Sequence, residues 1–588
     1  TCTGGTDATV TVNGTSMYLS GKSYIKIDGF TFDGGTARSL YLYTDSDYNE
    51  ISNNIFQNQA DYPNLSLSSS DYNYIHDNNF LIGVLDCGES DGISASLSHY
   101  NRIIDNTFID GNGHDAISLG AGGGCTYNVI RGNSITITSA ASNDGCPYDP
   151  YDDSSNDMDA VISLIKKSDW NLVESNTFTD TDGSVESTRT SGLKNHSSDY
   201  IIWRKNTLSY VDRQGWGCYS SSDNSQDVQY NMVYNNTFYH PNPTHTGSPL
   251  WIGGIDVSGG TAYDTYNNYF KNNIVDTTIF YGIAVGASAE AYVYDNVFSN
   301  NIVYGAAGGE VRRYNTVNTL DYFETNFAAE FIPSTNLNTQ PTYTNAAGGI
   351  FTPLNGSSVQ VDTGTHLTLA NGASDGDGTP SDQLIVDSGG VYFFWPGWSI
   401  PGETADYIYI VGDGDPANVL VQIVSVDSAT TITLASAQTW ENDAKVYLAV
   451  SSTVGFYGAG PDIGAAEYNG DPVPPVLSDV LPSGAVQCGE ATWPSTPIAW
   501  SLSTDEAATC KFARTDVEYD LMPFDFTITG GLAHSCTPTE TNFIYPCGET
   551  ITRYVRCSDA NGNKNTVSTI MSVIIDADPP PRRNISVH

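Results

Sequence analysis

The apolar and polar positions of this 588-residue chain alternate in short runs. Tyr24-Ile25-Lys26-Ile27 and Ala116-Ile117-Ser118-Leu119 alternate as half-buried strands do, and no long stretch carries a 3.6-residue apolar period. On a longer scale one unit, Asn-x-apolar, recurs at Asn54-Ile55-Phe56, Asn78-Asn79-Phe80, Asn106-Thr107-Phe108, Asn133-Ser134-Ile135, Asn176-Thr177-Phe178, Asn206-Thr207-Leu208, Asn236-Thr237-Phe238, Asn268-Tyr269-Phe270 and Asn296-Val297-Phe298. Counted from Phe32, successive apolar positions lie 24, 24, 28, 27, 43, 30, 30, 32 and 28 residues apart, each about one solenoid coil. Five residues before most of them stands another apolar residue (Ile51, Ile75, Ile103, Ile130, Val173, Trp203, Val233, Val293), so two strand segments flank each Asn. Asn tolerates the left-handed backbone of a turn, and its amide can bond the Asn of the next coil. The pattern predicts asparagines stacked in a ladder, Phe, Ile and Leu piled inside, and stability summed over neighbouring coils.

The segments 23–32, Ser-Tyr-Ile-Lys-Ile-Asp-Gly-Phe-Thr-Phe, and 127–135, Tyr-Asn-Val-Ile-Arg-Gly-Asn-Ser-Ile, resemble right-handed parallel β-helix repeats. That family includes pectate and alginate lyases, epimerases, phage tailspikes and surface adhesins. The resemblance covers residues 1–345 and implies an all-β solenoid, while leaving activity open.

After residue 345 the Asn units stop. Tyr407-Ile408-Tyr409-Ile410-Val411 alternates, and 421–426 and 431–434 are joined by Asp427-Ser428-Ala429-Thr430 as a hairpin. Residues 346–468 thus read as a small β module, with Phe393-Phe394-Trp395-Pro396-Gly397-Trp398 as its core or as an aromatic platform for sugar rings. Its last stretch, 461–468, resembles the closing segment of secreted bacterial β-helix proteins. Residues 469–476 have a linker's composition. Residues 477–578, with Ala508-Thr509-Cys510 and Tyr554-Val555-Arg556-Cys557, resemble a bacterial immunoglobulin-like or fibronectin-like β-sandwich, followed by a tail at 579–588. A Cys510–Cys557 bridge would close 48 residues and contribute about 4 kcal/mol by chain entropy; Cys536 and Cys547 are a second candidate pair.

Charge narrows the partners. With 67 acidic and 23 basic side chains the net charge is -44, which repels nucleic acid and anionic membrane surfaces and suits either solubility or cation capture. Ten cysteines without zinc-type pairs point to disulfides and an extracellular or cell-surface location. Five fall in each half, so one is left over in each; a free thiol, a bridge within the chain, or a pairing of Cys2 or another solenoid cysteine with Cys488 of a neighbouring copy would account for it. Six N-x-S/T sites (Asn13, Asn64, Asn195, Asn235, Asn355, Asn584) read as exposed acceptors for a glycosylating host. No run of about 18 apolar residues is present, so membrane insertion is not expected, and without a signal peptide the chain reads as a mature product or fragment.

Resemblance to β-helix lyases implies carboxylates holding calcium and a Lys or Arg that removes the proton beside a uronate carboxyl. Asp91, Asp115 and Asp159 each precede a strand by two residues, so they are expected to stack at one edge, where a cation would relieve their repulsion. Asp149, Asp152, Asp153 and Asp157 join Asp159 in the densest acidic patch, a calcium candidate or a solvated loop. Asp375-Gly376-Asp377-Gly378 and Asp413-Gly414-Asp415 are weaker. Lys166 lies 12 before Phe178 and His196 lies 12 before Leu208, which puts them on adjacent coils with Lys194 and Arg213 nearby, either as catalytic groups or as a solvated edge. His114 beside Asp115 is a base candidate or a turn residue. Two functions stay open. One is an extracellular structural or surface protein whose copies join head to tail into a fibre, the tail or sandwich of one meeting the open first coil of the next, with polysaccharide as a further partner. The other is a calcium-dependent polysaccharide lyase or related enzyme acting on an acidic glycan.

Overall fold

A computed structural model describes the chain except residues 1–9, 15, 36–37, 60–61, 82–90, 110–114, 138–159, 181–190, 212–213, 221–225, 241–252, 260–262, 279, 287–291, 347–348, 373–379, 413–417, 469–474, 482–483, 488–499, 527–530, 537–549, 560–563 and 577–588. Each coil lays down three short strands in turn, one on each of three long sheets, here named A, B and C, of 11, 12 and 10 strands. Pairing within the sheets is parallel, apart from Thr316–Asn318 at the end of sheet B, which runs antiparallel. The architecture is a right-handed parallel β-helix.

The buried asparagines hold the coils in register. At the corner leading from sheet C to sheet A, Asn54, Asn78, Asn106, Asn133, Asn176, Asn206, Asn236, Asn273 and Asn301 each pass an amide Nδ2 hydrogen bond to the Oδ1 of the next Asn, the last to Asn336, at 2.9–3.1 Å. The receiving oxygen also takes the backbone N–H of the preceding Asn, as Asn78 does from Asn54 at 3.0 Å. Inside the same turn Phe32, Phe56, Phe80 and Phe108 stack with centroids 4.7–4.8 Å apart and planes within 8°, the spacing of neighbouring strands.

The structure corrects the end of this file. Asn268 and Asn296 belong to a second ladder at the corner from sheet B to sheet C, which runs Asn49, Asn73, Asn101, Asn128, Asn171 and, after a break at Ile201, Asn231, Asn268, Asn296. At the break Asn195 reaches over and donates to Asn231 Oδ1 at 3.0 Å. Phe238 is followed in register by Val275 and Val303, not by Phe270, while Phe270 and Phe298 continue the file of Trp203 and Val233. Both corners share the signature Asn-x-apolar, so spacing alone slides from one to the other.

The C-terminal end of the solenoid is closed. Helix Leu320–Asn326, capped by the Thr319 hydroxyl, crosses it, Phe331 stacks on Phe298 at 4.8 Å, and Asn336 ends the first ladder by donating to Glu324. Next in sequence comes a six-stranded antiparallel sheet built from Thr368–Leu369, Lys445–Leu448, Tyr407–Val411, Val419–Val426, Thr431–Gln438 and Ser381–Ile385. It packs on the outer face of sheet C, where Ile104, Val129, Leu172, Ile202, Met232 and Tyr234 share a core with its buried side chains. Phe393, Phe394 and Trp395 are 1–2% exposed and belong to that core, so the first of the two expectations for this segment holds.

The chain divides into two compact units, Thr1–Tyr468 and Asn469–His588. In the second, the 14-residue strand Trp500–Ala513 pairs through its first half with Leu477–Leu481 and Gly531–Cys536, and through its second half with Thr550–Asp559. A Cys510–Cys557 disulfide joins two directly opposite residues of the latter pair, both buried in its core. Cys125 and Cys218 are free and buried, and burial pushes the Cys125 thiol up to about 12, which leaves it unreactive. Cys2, Cys87, Cys146, Cys488 and Cys547 lie outside the described residues, as do the tail and most of the linker. Three glycosylation sites are corrected: Asn64 and Asn195 are buried, and the Asn235 amide is spent on the carbonyls of Asp462 and Gly464. Asn13 and Asn355 are exposed.

Asn206→Ala removes an acceptor used by Asn176 and a donor to Val173 and Asn236, stranding several buried groups. We expect about 3 kcal/mol or more lost in urea unfolding, against about 0.5 kcal/mol or less for Thr177→Ala on the exposed side of the next strand.

Candidate functional site

Register converts the alternation along sheet B into a column of outward side chains. Leu65, Ile93, Ile117, Ile162, Leu193, Trp216 and Ile255 point into the core, so the residue after each faces out. In order the column is Tyr18, Tyr41, Ser66, Ser94, Ser118, Ser163, Lys194, Gly217, Asp256, Ala284 and Arg312. Ser66, Ser118, Ser163, Asp256 and Arg312 are buried although they face outward, so the column is covered at those positions. At its N-terminal end the Arg38 guanidinium lies 4.8 Å from the Tyr41 ring centre and 5.3 Å from that of Tyr62, and Arg38 donates to the Ser66 hydroxyl.

Further along, Lys194 and Asp256 stand two coils apart, roughly 10 Å between backbones, with Gly217 between them. A β-carbon at Gly217 would lie 2.7 Å from Gln214 Cγ and Nε2, so the missing side chain makes room for an amide between ammonium and carboxyl. Asp256 accepts from the Ser258 hydroxyl at 2.8 Å. Burial raises its carboxyl to about 7, against the pull of that bond and of Arg312. Near neutrality it therefore holds a proton part of the time, as a general acid must.

The sequence candidates are placed as follows. Lys194 and His196 lie two apart on strand Ser191–His196, both half-buried on the outer side of sheet B. Lys166 does not stack on His196: Ile165 does, and Lys166 sits one residue on, in the turn, exposed, donating to the Ala121 carbonyl at 2.7 Å. Equal distances from Phe178 and Leu208 mislead because the two intervening turns differ by one residue. Asp91 and Asp115 lie one above the other and are 5% and 1% exposed. Asp91 Oδ1 accepts from the Asp115 backbone at 3.2 Å, and Asp115 Oδ1 from Ala160 at 2.9 Å, so these carboxylates hold one coil to the next. Among the described residues no three His, Cys, Asp or Glu side chains are grouped to hold a metal ion. Asp149, Asp152, Asp153, Asp157, Asp159, His114, Arg213 and the two Asp-Gly segments lie outside the described residues.

Two features escaped the sequence reading. Tyr24, Tyr48, Tyr72, Tyr100, Tyr127, Trp170, Tyr200 and Tyr230 form an outer stack with centroids 4.2–6.3 Å apart, all at φ of 53–62°, where bulky residues seldom sit. The recurring Tyr-Asn dipeptide at 48, 72, 100, 127 and 230 was the available signal. The other is a buried ion network under the module. Arg204 makes two bonds to Asp406 at 2.6 and 2.8 Å and one to Glu174 at 2.8 Å, while Arg131 joins Glu174 to Glu403 and Arg102 also binds Glu403. Burial alone would raise Glu174, but Arg204, Lys205 and Arg131 hold it at about 2.

No protein-family model matches the chain, and no curated protein does. Among solved structures it is similar to the pectate lyase Pel9A, with 12% identity and TM-score 0.31 over 63% of this chain and 84% of that one. It is also similar to the PL6 family polysaccharide lyase Pedsa3628 from Pseudopedobacter saltans (12%, TM-score 0.24, 57% and 93%) and to the Pseudomonas phage phi297 tailspike gp61 (13%, TM-score 0.28, 72% and 65%). Likeness at this level concerns the fold alone.

Burial lifts Asp199, Asp256 and Glu467 to about 7 and Asp462 to about 6. A carboxyl raised on folding stabilises most below its unfolded pKa, near 4, and loses that contribution as pH climbs through the folded value. The melting temperature should fall between pH 4.5 and 7.5, and Asp256→Asn should flatten the slope. A melting temperature that climbs across this window would contradict the assignment.

Proposed function

We propose that this is an extracellular carbohydrate-active β-helix protein that takes an acidic polysaccharide along the outer face of sheet B and cleaves it by β-elimination. The observation that carries the reading is the Lys194–Gly217–Asp256 segment of the outward column of sheet B. Lys194, when neutral, removes the proton on the carbon bearing a uronate carboxyl. The electron pair forms the ring alkene, the bond to the glycosidic oxygen breaks, and protonated Asp256 supplies that oxygen with its proton. Gln214 over Gly217 offers hydrogen bonds to sugar hydroxyls. Tyr18, Tyr41 and Tyr62 provide faces for the apolar side of further sugars, and Arg38 a charge for another carboxylate. His196, beside Lys194 on the same strand, is a positioning candidate.

The test is absorbance of the unsaturated product on pectate and alginate. Lys194→Ala should lower turnover at least about 100-fold, and Asp256→Asn comparably, with binding retained. Binding without turnover in the native protein would make it an adhesin, and neither would sink the proposal.

A second reading, self-association, is supported by the first described coil, where Val10, Tyr18 and Tyr24 are 43%, 55% and 77% exposed. At the other end the helix and Phe331 cover the last coil, so contact between copies would use the N-terminal coil against a surface other than that end. Sedimentation of the intact chain at tens of micromolar is expected to show a species larger than the monomer. A monomer alone would remove this second reading.

A further inference from the structure

At the corner from sheet C to sheet A, the residue before each ladder Asn except Asn336 adopts a left-handed backbone. Eight of these nine are short: Asn53, Asp77, Asp105, Gly132, Ser175, Asn235, Asn272 and Asn300. The ninth is Lys205, at φ 56°, where a long side chain has no conformational advantage. On the following coils the short residues tie down the C-terminal segments: Asn235 donates to the Asp462 carbonyl, Asn272 to that of Thr365 and Asn300 to that of Thr363. Lys205 does no such thing. Its ammonium makes no hydrogen bond and no ion pair with any described residue, and its side chain lines a cavity of about 140 Å³ between the solenoid turn, the six-stranded module and the closing segment.

The rest of the wall has its polar groups committed. Glu467 accepts from the backbone N–H of Tyr457 and of Asp462, and the Asn235 and Asn272 amides are bound as above. Opposite them Tyr447 and Phe456 meet edge to face at 5.3 Å. A lysine that feels the carboxylates of Glu174, Asp406 and Glu467 only at a distance and an aromatic corner share a space close to the 150 Å³ that admits a benzene ring. Glu467 nearby disfavours a doubly charged anion such as phosphate.

We propose that this cavity is a binding site for a cyclic monocarboxylate, its carboxylate on Lys205 and its ring against Tyr447 and Phe456. The site is separate from the outward column of sheet B and does not depend on that reading. Two sources supply this chemistry, a free organic acid and the end of an acidic sugar chain.

Calorimetric titration of the full chain with sodium benzoate and with sodium galacturonate, against benzyl alcohol and glucose at matched sodium chloride, tests it. One saturable site for at least one acid, and none for the neutral compounds, is expected. Benzoate alone would identify the free acid, and galacturonate, with or without benzoate, the sugar acid. Lys205→Met should weaken binding at least tenfold. Ala465→Leu, which fills the space with Lys205 intact, should weaken it similarly and decides the matter should Lys205→Met not fold. No saturable binding of either acid, or binding unchanged in the variants that fold, would overturn the proposal.

Discussion

The structure depends on an amide-to-amide hydrogen bond repeated along the solenoid axis. A buried Asn must satisfy two donors and an acceptor, and in each coil it does so with the coil before, the coil after and the backbone between. A displacement of one coil by a residue would strand these groups where water cannot reach them. The ladders therefore specify register more sharply than the aliphatic core, which accepts Phe, Ile, Leu and Val interchangeably at one position. The stacked phenylalanines fill space, and the asparagines decide which space.

Two of the three corners carry such ladders. At the third, from sheet A to sheet B, no such ladder is found among the described residues, and the stretches 82–90, 110–114, 138–159, 181–190 and 241–252 all fall between a sheet A strand and the next sheet B strand. Variation in coil length is thus concentrated in the chain that leads into sheet B, the sheet on which Lys194 and Asp256 stand.

Much of this was legible in the chain. The Asn-x-apolar spacing predicted the solenoid, the interior Phe file and an asparagine ladder, because each follows from contacts one coil apart. What failed was distinguishing two ladders with the same signature at Asn268 and Asn296, and aligning Lys166 with His196 across turns of unequal length. The site was less legible. Lys194 and His196 stood out as cations, whereas Asp256 gains its raised affinity for a proton from burial, and Gly217 matters for an atom it lacks. That Asp91 and Asp115 accept backbone N–H groups of the next coil was not legible, because sequence shows carboxylates without showing the donors that meet them.

The aromatic stack on the outer corner gives the molecule an optical property. Seven tyrosines and one tryptophan, Trp170, are held nearly parallel at distances set by the strand spacing, so excitation absorbed at any ring can hop along the file and drain into the indole. Tyrosine-sensitised emission from Trp170 would then register the winding of the solenoid, coil by coil, without any attached dye.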